Sequence, residues 1–494
     1  MIPGARPGSR GRLAWLGDRP ARGPACRSRR RAQMADLMHN AAPGRQKGAI
    51  FGVGTQGHHT VLRMDIDRRS ALRVHNVRLV DGVEETAVPD AVLQADDDGR
   101  ITYAGPASRA PAAPPDIPTI DGRGGTLLPG FFDCHVHLGM PSEQSVVEQA
   151  LTTTDVMRVI QTTQRMRRTL ESGITSARDL GALTAAYRAA VRGGDLAGPR
   201  LQVSIGIISH TGGHADSTLP SGLHLDFDFC VLADNVHEVR LAARRMLRDG
   251  ADVVKICTTG GISSATDDPD DEDLPEEEVA AVVDEARRHR GRTVAAHAQG
   301  RAGILAAIRG GVRSVEHGFG IDDQGCDLLG ERGAFLVPTL QTVFRPLERS
   351  RTSPWRYEKK LRWNEFAKQN IATAIERKVT IAAGTDAGIT PHGENLAELA
   401  HLVALGMKPM DAIRAATVNS ARLLGVDDRL GTLRPGMLAD LVICAGDPLR
   451  DITLLAAPDN IVVVAQQGVV RKNTLPAELT ITSLETSPIL EGTP

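Results

Sequence analysis

Apolar and polar positions alternate in short runs near the start of the organised part of the chain. Residues 71–80 alternate loosely with a period of two, residues 91–94 form an apolar run, and residues 101–104 follow the turn-like sequence DDDG at 96–99. Runs of this length and period predict β-strands, and the Pro- and Ala-rich residues 107–118 predict a loop. The pattern therefore predicts a small β-sheet in this region.

After Gly130 the pattern changes to strand, loop and helix, repeated along the chain. Residues 235–248 carry apolar side chains at helical spacing, Gly250 ends that helix, and an apolar strand follows at residues 252–256. Pro275 opens another helix, whose first turn holds three glutamates that the helix dipole favours. Alternation of this kind predicts an α/β fold with parallel strands.

Eight such units can be counted within about 290 residues, ending with a helix at 361–377 and a strand at 379–384. This number predicts a (β/α)8 TIM barrel better than an open, doubly wound sheet. No G-x-G-x-x-G or G-x-x-x-x-G-K-[ST] motif follows a predicted strand, so nothing indicates a dinucleotide or P-loop site. The approximate middles of the eight predicted strands are Phe132, Ser176, Ser204, Val254, Ala295, Val315, Val337 and Ala382.

Strand-like runs return after the barrel. Helices continue to about Leu424, and short strands are then predicted at residues 431–435, 440–444, 461–465 and 469–471. Because such runs flank the barrel on both sides, we expect the two ends of the chain to build one small composite β-sandwich domain. The predicted domains are a basic extension at 1–70, the two parts of the β-sandwich at 71–128 and 428–494, and the barrel at 129–427.

The beginning of the chain differs in composition from the rest. Its first 48 residues carry ten arginines and one lysine against two aspartates, and they are rich in Gly and Pro without apolar periodicity. The apolar run at residues 13–16 is shorter than a secretory signal requires. We expect a disordered basic extension, with Met34 or Met64 as an alternative start of the protein.

Overall composition excludes several classes of protein. The chain has 494 residues, of which 41% are hydrophobic, 24% charged and 3% aromatic, with a net charge of −2. That apolar fraction excludes wholesale disorder, and no run approaches the ~20 apolar residues that span a bilayer. Near-neutral charge and few aromatic residues argue against nucleic acid as a partner. The cysteines form no C-x-x-C pair and predict a reducing, cytoplasmic compartment: Cys26, Cys134, Cys230, Cys257, Cys326 and Cys444.

The clearest candidate chemistry lies at the ends of the predicted strands. The first strand ends in an H-x-H pair, His135 and His137, and residues two apart on a strand point to the same side. Four further candidates follow the fourth, fifth, sixth and eighth strands: Lys255, His297, His317 and Asp386. In a (β/α)8 barrel these ends form one mouth, so the six side chains are expected to converge there.

Each of these residues alone also has a structural interpretation. Histidines that follow apolar runs, such as His297 and His317, are often hydrogen-bonded core residues, and Asp386 lies where a residue could cap a helix. Lys255 is harder to explain structurally, because it interrupts an apolar strand where an unpaired ammonium is costly to bury. The combination favours a metal site over six separate structural roles.

With this set of residues, the chain resembles the amidohydrolase superfamily of metal-dependent hydrolases. The resemblance covers roughly residues 72–473, including LPG at 128–130 and GMLADL at 436–441. The order H-x-H, Lys, His, His, Asp is that of the binuclear members. The motifs TGGHAD at 211–216 and KICTTGG at 255–261 resemble the branch of prolidase-like dipeptidases, Xaa-Arg/Lys carboxypeptidases and ochratoxin amidases.

The resemblance implies a role for each candidate. The H-x-H histidines and Asp386 would bind one metal ion, and His297 and His317 a second. Lys255 would be carboxylated by carbon dioxide, because a carbamate offers oxygens that can bridge two cations. Two divalent ions are implied, Zn²⁺ first, with Mn²⁺ or Co²⁺ as alternatives. A hydroxide between the ions would attack the amide, with Asp386 as proton shuttle, so Lys255 and Asp386 are the expected catalytic residues.

Contacts to the substrate are less determined by the sequence. His214 follows the third strand and is expected either to contact a substrate carbonyl or carboxylate or to structure its loop. His210 is a weaker candidate for the same role. Gly260 and Gly261 would allow a ligand to approach the backbone closely, and the acidic residues within 267–271 are expected to form a solvated loop.

A dipeptidase-like site is also expected to hold an arginine that binds a carboxylate. Arg178 and Asp179 follow the second strand and are expected to form an internal ion pair rather than a substrate clamp. Arg345 and Arg349, beyond the seventh strand, are the untested candidates for the clamp.

We therefore predict a metal-dependent amidohydrolase that cleaves N-acyl amino acids or dipeptides, including ochratoxin-like amides, beside the C-terminal residue. The alternatives are a cyclic-amide or imidazolonepropionase-like hydrolase, a mononuclear deaminase that would leave Lys255 without a role, and a metal-free structural or interaction protein. The expected partner is a small-molecule amide or dipeptide, with no nucleic acid and no membrane. The resemblance also implies assembly into a homo-oligomer.

Overall fold

The computed structural model describes residues 70–142, 146–219, 221–225, 227 and 229–476. The predicted basic extension lies outside the described residues except for its last position, Ser70. The final part of the predicted C-terminal region, after Pro476, lies outside them as well.

Seventeen strands are found in these ranges, most of them short and buried. They are β1 (Leu72–Leu79), β2 (Val88–Ala95), β3 (Ile101–Pro106), β4 (Thr119–Asp121), β5 (Thr126–Pro129), β6 (Phe131–Val136), β7 (Ile174–Asp179), β8 (Arg200–Val203), β9 (Ile207–Ser209), β10 (Cys230–Leu232), β11 (Val253–Cys257), β12 (Thr293–Ala298), β13 (Ser314–His317), β14 (Phe335–Val337), β15 (Leu441–Cys444), β16 (Ile461–Gln466) and β17 (Val469–Asn473).

The helices alternate with the central strands. They are α1 (Val146–Thr152), α2 (Asp155–Glu171), α3 (Ala185–Gly193), α4 (Val236–Arg248), α5 (Glu276–Arg288), α6 (Arg301–Gly310), α7 (Asp323–Arg332), α8 (Leu340–Phe344), α9 (Pro354–Glu376), α10 (Ala397–Ala404), α11 (Pro409–Ala415) and α12 (Val418–Leu424). Short 3₁₀ helices occur at Ala107–Arg109, Arg349–Arg351, Ile452–Ala456 and Pro458–Asn460. In the described part of the chain, no helix combines the length and apolar character needed to cross a bilayer.

One sheet contains strands from both ends of the described chain. Its strand order is β17-β16-β15-β5-β1-β2-β3, with β4 paired to β1. Residues 431–435, predicted as a strand, form a turn instead. Gly431 adopts a φ of 96°, and a Cβ built on it would lie 2.8 Å from the Cβ of Ala421, so this position requires a glycine turn.

The central strands are parallel, as expected for a TIM-barrel-type α/β fold. They form a three-stranded set, β6-β7-β8, and a six-stranded set, β10-β9-β11-β12-β13-β14. The start of β11 meets β8 through a bond from Asp252 N to Val203 O of 2.8 Å. Every described side chain of β6, β7 and β11 is buried, the polar ones included, as expected for parallel strands covered on both faces.

Two of the eight predicted central strands differ from expectation. The strand centred on Ser204 is divided into β8 and β9, because Ile205 between them adopts a left-handed φ of 72°. Residues 379–384 form only an isolated bridge, between Ile381 and Leu336. The segment is nevertheless hydrogen-bonded to β6, because Cys134 N donates to Ala383 O at 2.8 Å. Ala383 N does not donate to a neighbouring strand but to Ala415 O.

One helix also begins earlier than its apolar pattern indicates. Helix α9 was expected from residue 361 and begins at Pro354, which occupies a first-turn position. Proline is favoured there because the missing N–H has no partner within the helix in any case. The seven additional residues bring Trp355 to the mouth formed by the ends of the central strands.

Candidate metal centre and active site

All six candidate ligands lie around one cavity at the ends of the central strands. His135 is the penultimate residue of β6, His137 lies just beyond the strand, and Asp386 follows the bridge at Ile381. The cavity has a volume of about 420 Å³ and is lined by each of the predicted ligands: His135, His137, Lys255, His297, His317 and Asp386. The structure thus brings together residues that are as much as 251 positions apart in the sequence, as His135 and Asp386 are.

Three of the six form a compact donor set. Asp386 Oδ1 lies 3.3 Å from His137 Nε2 and 3.6 Å from His135 Nε2. One ligand atom from each of these residues falls within 4.8 Å of the others, a separation that suits a single metal ion. Two imidazoles and a carboxylate are ligands that Zn²⁺ and related ions accept.

The other two histidines continue the cluster across the mouth. The ring centroids of His135 and His317 are 4.9 Å apart, and those of His317 and His297 are 4.5 Å apart. Burial is the largest cause that lowers the pKa of all three imidazoles well below 6.5. Neutral rings have lone pairs, so the cluster can act as metal donors rather than as cations.

Lys255 lies within this cluster without a partner of its own. Its side chain is 2% exposed, and its Nζ has no hydrogen-bond partner among the described residues. Burial lowers the pKa of Lys255 from its usual 10.5, opposed by the negative charge of Glu316. Burying an amine without a hydrogen-bond partner costs on the order of several kcal/mol. Lys255 Nζ is therefore the strongest sign that the site holds a further group.

The carboxylate of Asp386 remains the charged form despite its burial. Burial acts to raise its pKa, but the bond to His137 and the charges of His135 and Lys255 lower it below the usual 3.8. The backbone of Asp386 has a left-handed φ of 57°, and that of His317 has 70°. Such φ values cost of order 1–3 kcal/mol in non-glycine residues and are concentrated at functional sites.

A buried carboxylate that the sequence analysis missed orients the first histidine. Glu316 Oε2 lies 2.9 Å from His135 Nδ1, and Glu316 Oε1 accepts a bond of 2.8 Å from Arg178 Nη2. Both partners of this ion pair are almost completely buried. When His135 Nδ1–H donates to Glu316, the other ring nitrogen, Nε2, is left with its lone pair toward Asp386.

Arg178 therefore forms an internal ion pair, but with Glu316 instead of Asp179. Its Nε also donates to Cys134 O at 2.7 Å. Asp179 instead accepts backbone N–H groups, including Leu138 N at 2.7 Å, and burial raises its pKa to about 7. The expectation of a pair between sequence neighbours was wrong because adjacent residues of a strand point to opposite sides.

We expect Glu316→Gln to weaken metal binding about 10- to 100-fold, because the carboxylate that holds Nδ1 of the His135 ring would be replaced by a neutral amide. The same substitution leaves the Arg178 guanidinium buried without its counter-charge and should cost about 3 kcal/mol of unfolding free energy. Metal titration and urea unfolding measure the two effects. The control is Glu171→Gln in the exposed pair with Arg167, which should change stability by about 0.5 kcal/mol or less.

His214 lies at the cavity and is held in place by two contacts. Its ring stacks on that of His297 with centroids 4.1 Å apart, and its Nδ1 lies 3.1 Å from Asp267 Oδ2. A Cβ built on Gly261 would lie 2.2 Å from His214 Cε1. Gly261 thus makes room for the imidazole, a more specific reason for the glycine than a general approach of ligand.

His210 occupies a different position. Its Nδ1 lies 2.8 Å from Thr211 O and its Nε2 3.1 Å from Glu272 O, and it does not line the described cavity. Both ring nitrogens thus face backbone carbonyls, an arrangement that organises the loop.

The acidic segment after β11 is only partly solvated. Asp267 is buried beside His214, which corrects the expectation of a solvent-exposed run. Asp268 and Asp270 instead pair with Arg362 on α9, at 2.6 and 2.9 Å. Lys359 Nζ, also on α9, donates to Ser264 O at 2.9 Å, so α9 holds this loop against the cavity.

The arginines considered as carboxylate clamps do not reach the cavity. Arg345 pairs with Glu394 at 2.8 Å, and the Arg349 guanidinium lies 5.6 Å from the ring centre of Tyr357. Among the described lining residues, Lys255 is the one lysine and no arginine occurs. The outer wall includes an apolar set beside polar residues such as Asp216, Ser217 and Thr266; the apolar set is Met140, Ile207, Leu219, Leu225, Phe227, Phe229, Trp355 and Ile389.

Comparison with known proteins agrees with this site. The model of the amidohydrolase family matches residues 126–471. Ochratoxinase from Aspergillus niger is 33% identical over 363 residues, which cover 69% of this chain and 75% of that protein.

Solved structures of a dipeptidase and of an ochratoxinase are also similar to this chain. A Xaa-Pro dipeptidase with methionine bound in its active site is 33% identical with a TM-score of 0.75, covering 81% of this chain and 99% of the other. The crystal structure of the A. niger ochratoxinase gives 29% identity and a TM-score of 0.73, covering 82% and 96%. The chain therefore belongs to the amidohydrolase family, in its prolidase-like and ochratoxinase branch, and is a hydrolase of amide bonds.

Proposed function

We propose that the protein uses two divalent metal ions to hydrolyse N-acyl amino acids or dipeptides, including ochratoxin-like amides. The observation that carries the proposal is the unpartnered Nζ of Lys255 inside a buried cluster of four histidines and one aspartate. No protein group among the described residues satisfies that amine, whereas its carbamate, formed with carbon dioxide, is an anion with two donor oxygens. A single-metal deaminase or a metal-free relative gives this amine no role.

The six side chains would divide between two ions. His135, His137 and Asp386 would hold one ion, the two remaining histidines the other, and carboxylated Lys255 would bridge them, most simply around Zn²⁺. Such ions supply electrophilic polarisation of the carbonyl and a water of lowered pKa. Glu316 and Arg178 would fix the orientation of the His135 ring throughout the reaction.

Asp386 is the proposed proton carrier. Its carboxylate is ionised at neutral pH, because His137, His135 and Lys255 lower its pKa. An ionised carboxylate at this position can accept the proton released by the attacking water and return it to the nitrogen that leaves. General acid–base catalysis of this kind contributes about 10²- to 10⁴-fold to the rate.

His214 is the proposed contact to the substrate. Asp267 Oδ2 lies 3.1 Å from its Nδ1, so Nε2 is the ring nitrogen left for a substrate. With a proton on Nε2, the ring can donate to the oxygen of the scissile carbonyl or of the terminal carboxylate. It also answers how a carboxylate could be bound in a cavity whose described lining contains no arginine.

The apolar outer wall defines the proposed substrate further. Phe227 and Phe229 stack with ring centroids 5.4 Å apart beside Leu219 and Leu225. Aromatic and branched walls favour an apolar group on the substrate, through the area that both remove from water. We therefore expect a higher kcat/KM for substrates with an aromatic or large aliphatic side chain than for those with a small or charged one.

We expect Phe227→Ala to lower kcat/KM about 10- to 100-fold for N-acyl-phenylalanine, because lost apolar contacts are worth about 1–3 kcal/mol. For N-acyl-glycine, which has no side chain to place on the wall, the same variant should change kcat/KM about twofold or less. Steady-state kinetics on both substrates measure the difference. Phe366→Ala, on the exposed face of α9, is the control. Equal losses on both substrates would contradict the assignment of the wall.

Metal analysis together with a substrate screen tests the proposed function as a whole. About two equivalents of metal per chain are expected, with hydrolysis of N-acyl amino acids or dipeptides and release of the free amino acid. One equivalent with release of ammonia would indicate a deaminase instead. Exclusive turnover of cyclic amides would move the protein to the cyclic-amide alternative, and a metal-free inactive chain would refute both.

The remaining features of the proposal concern architecture. We propose that the central strands close into a (β/α)8 barrel spanning 129–427, supported by the bonds that residues 380–383 make to β14 and to β6. The sheet shared by β1–β5 and β15–β17 supports a composite β domain built from 71–128 and 428–494. A cytoplasmic homo-oligomer with a small-molecule substrate, and without nucleic acid or membrane partners, completes the proposal.

A further inference from the structure

A second cavity lies at the opposite end of the central strands. Its volume is about 610 Å³. It is lined by Phe132 near the start of β6, by Arg200 at the start of β8, and by Asp252 and Arg292, which immediately precede β11 and β12. The cluster of candidate metal ligands lies where these parallel strands end, so the two cavities are separate.

The lining of this second cavity is strongly basic. Asp252 is the single carboxylate among the described residues that line it. The six arginines come from α3, β8, β17 and the segments before β12 and after α12: Arg188, Arg192, Arg200, Arg292, Arg429 and Arg471. Residues from such distant parts of the chain are brought together by the fold and not by a local run of basic sequence.

The carboxylates nearby are already engaged. Asp252 accepts from Arg188 and lies 3.3 Å from Arg292, and it also accepts Val203 N at 3.1 Å. Asp440 is bound by Arg200 through two bonds of 3.2 and 2.9 Å. These two anions account for three of the six arginines, so positive charge is left over.

The remaining guanidinium groups are poorly neutralised. Arg429 is 3.8 Å from Asp428, a carboxylate that is 73% exposed. No ion pair is found for Arg192 or Arg471 among the described residues, and the Nε of Arg471 is buried without a hydrogen-bond partner. Burial and then the charge of Arg200 lower the pKa of Arg471, and the charge of Asp440 opposes them only in part. Holding like charges together beside a buried donor costs free energy that a bound anion would offset.

We propose that this cavity binds a small phosphate compound with at least two negative charges, such as a diphosphate group. Guanidinium groups bind phosphate oxygens through paired N–H bonds, and three arginines without a close, buried counter-charge suit a multivalent anion better than a monovalent one. The apolar part of the lining, including Leu201, Leu424 and Leu430, leaves room for an organic portion beside the phosphates. The diphosphate could be free or part of a nucleotide, and the two sources are separated by experiment.

Calorimetric titration of the full-length, metal-loaded protein with pyrophosphate, ADP and adenosine, at constant ionic strength, tests the inference. Saturable binding of pyrophosphate or ADP is expected, and adenosine should not bind. A double variant, Arg192→Gln with Arg471→Gln, should weaken the Kd about 100-fold, since each charge-assisted bond is worth about tenfold. The control is Arg309→Gln, an exposed arginine at the end of α6 without an ion pair among the described residues.

Each outcome of the titration either supports or overturns the proposed anion site. Binding of pyrophosphate alone, or tighter binding of ADP, supports the inference and identifies the source of the phosphate. No saturable binding overturns it, and so does binding that the double variant leaves unchanged, because the anion would then lie at the metal centre. Equal weakening by Arg309→Gln would also overturn it, as nonspecific attraction. If thermal melts show a misfolded double variant, Arg429→Gln alone, on a half-exposed side chain, replaces it.

Discussion

A Lys255→Ala variant is expected to lose bound metal and hydrolytic activity together, with kcat/KM reduced by about 10³-fold or more. Lys255 Nζ is the one buried side-chain atom of the candidate ligand cluster that lacks any partner among the described residues. If its carbamate bridges two ions, removing it deletes a donor from both. The two ions should then be lost in parallel, which metal analysis of the dialysed variant measures.

The metal-free state gives an independent test of the same residue. Without its modification, the amine of Lys255 is buried near Glu316 and Asp386, and its charged form carries a desolvation penalty. A Lys255→Met variant removes that penalty while it fills most of the volume. We therefore expect the metal-free Met variant to melt at a higher temperature than the metal-free native protein.

The matched control for both variants is Lys368→Ala, which removes an exposed lysine from α9. It should leave metal content, activity and melting temperature unchanged. Added short-chain carboxylates should restore part of the metal content and activity of Lys255→Ala, because they supply the missing oxygens in the vacated space. Full activity and full metal content in Lys255→Ala would show that Lys255 does not bridge two metal ions.

The sequence allows the convergence of the six candidate ligands to be predicted, because it depends on few assumptions. Parallel strands of a barrel end at one mouth, so any polar residue that follows a strand is placed there irrespective of spacing. His297 and His317 are ambiguous singly, yet their positions at the carboxyl ends of β12 and β13 fix where they lie. The order of the six residues along the chain therefore predicts the site better than any one of them does alone.

Contacts between non-adjacent strands are harder to predict. Nothing in the sequence pattern marks Glu316 as part of the site, but it contacts Arg178 of β7 and His135 of β6. That pairing depends on which side chains face inward at the same level of the fold. A carboxylate directly before a candidate ligand within a buried strand is the signal that could have found it.

Backbone conformation explains most differences between the predicted and observed elements. Ile205 and Gly431 adopt positive φ values: Ile205 interrupts a predicted strand, and Gly431 is the first residue of another. Neither hydrophobic period nor composition reports φ at a non-glycine residue such as Ile205. The stacking of His214 on His297, with Gly261 beneath it, likewise requires knowledge of the loops in three dimensions.

The second large effect is expected for Asp386→Asn, which should retain the fold and part of the metal while kcat falls about 10²- to 10⁴-fold. Asparagine has nearly the same shape and keeps one oxygen for the contact with His137 Nε2, now 3.3 Å from Asp386 Oδ1. The amide cannot accept a proton from the attacking water or deliver one to the leaving nitrogen. KM should change little, since the carboxylate is assigned to proton transfer and not to substrate affinity.

Comparison of an amide with the ester of the same acyl group separates proton transfer from metal binding. An amide nitrogen must be protonated before it leaves, whereas an ester oxygen leaves more readily without a proton, so Asp386→Asn should harm amide hydrolysis more than ester hydrolysis. A variant that has merely lost metal would be impaired on both to the same degree. Asp97→Asn, at an exposed turn before β3, is the control and should leave both rates unchanged. Equal losses on the two substrates would reduce Asp386 to a metal ligand and assign the proton to another group.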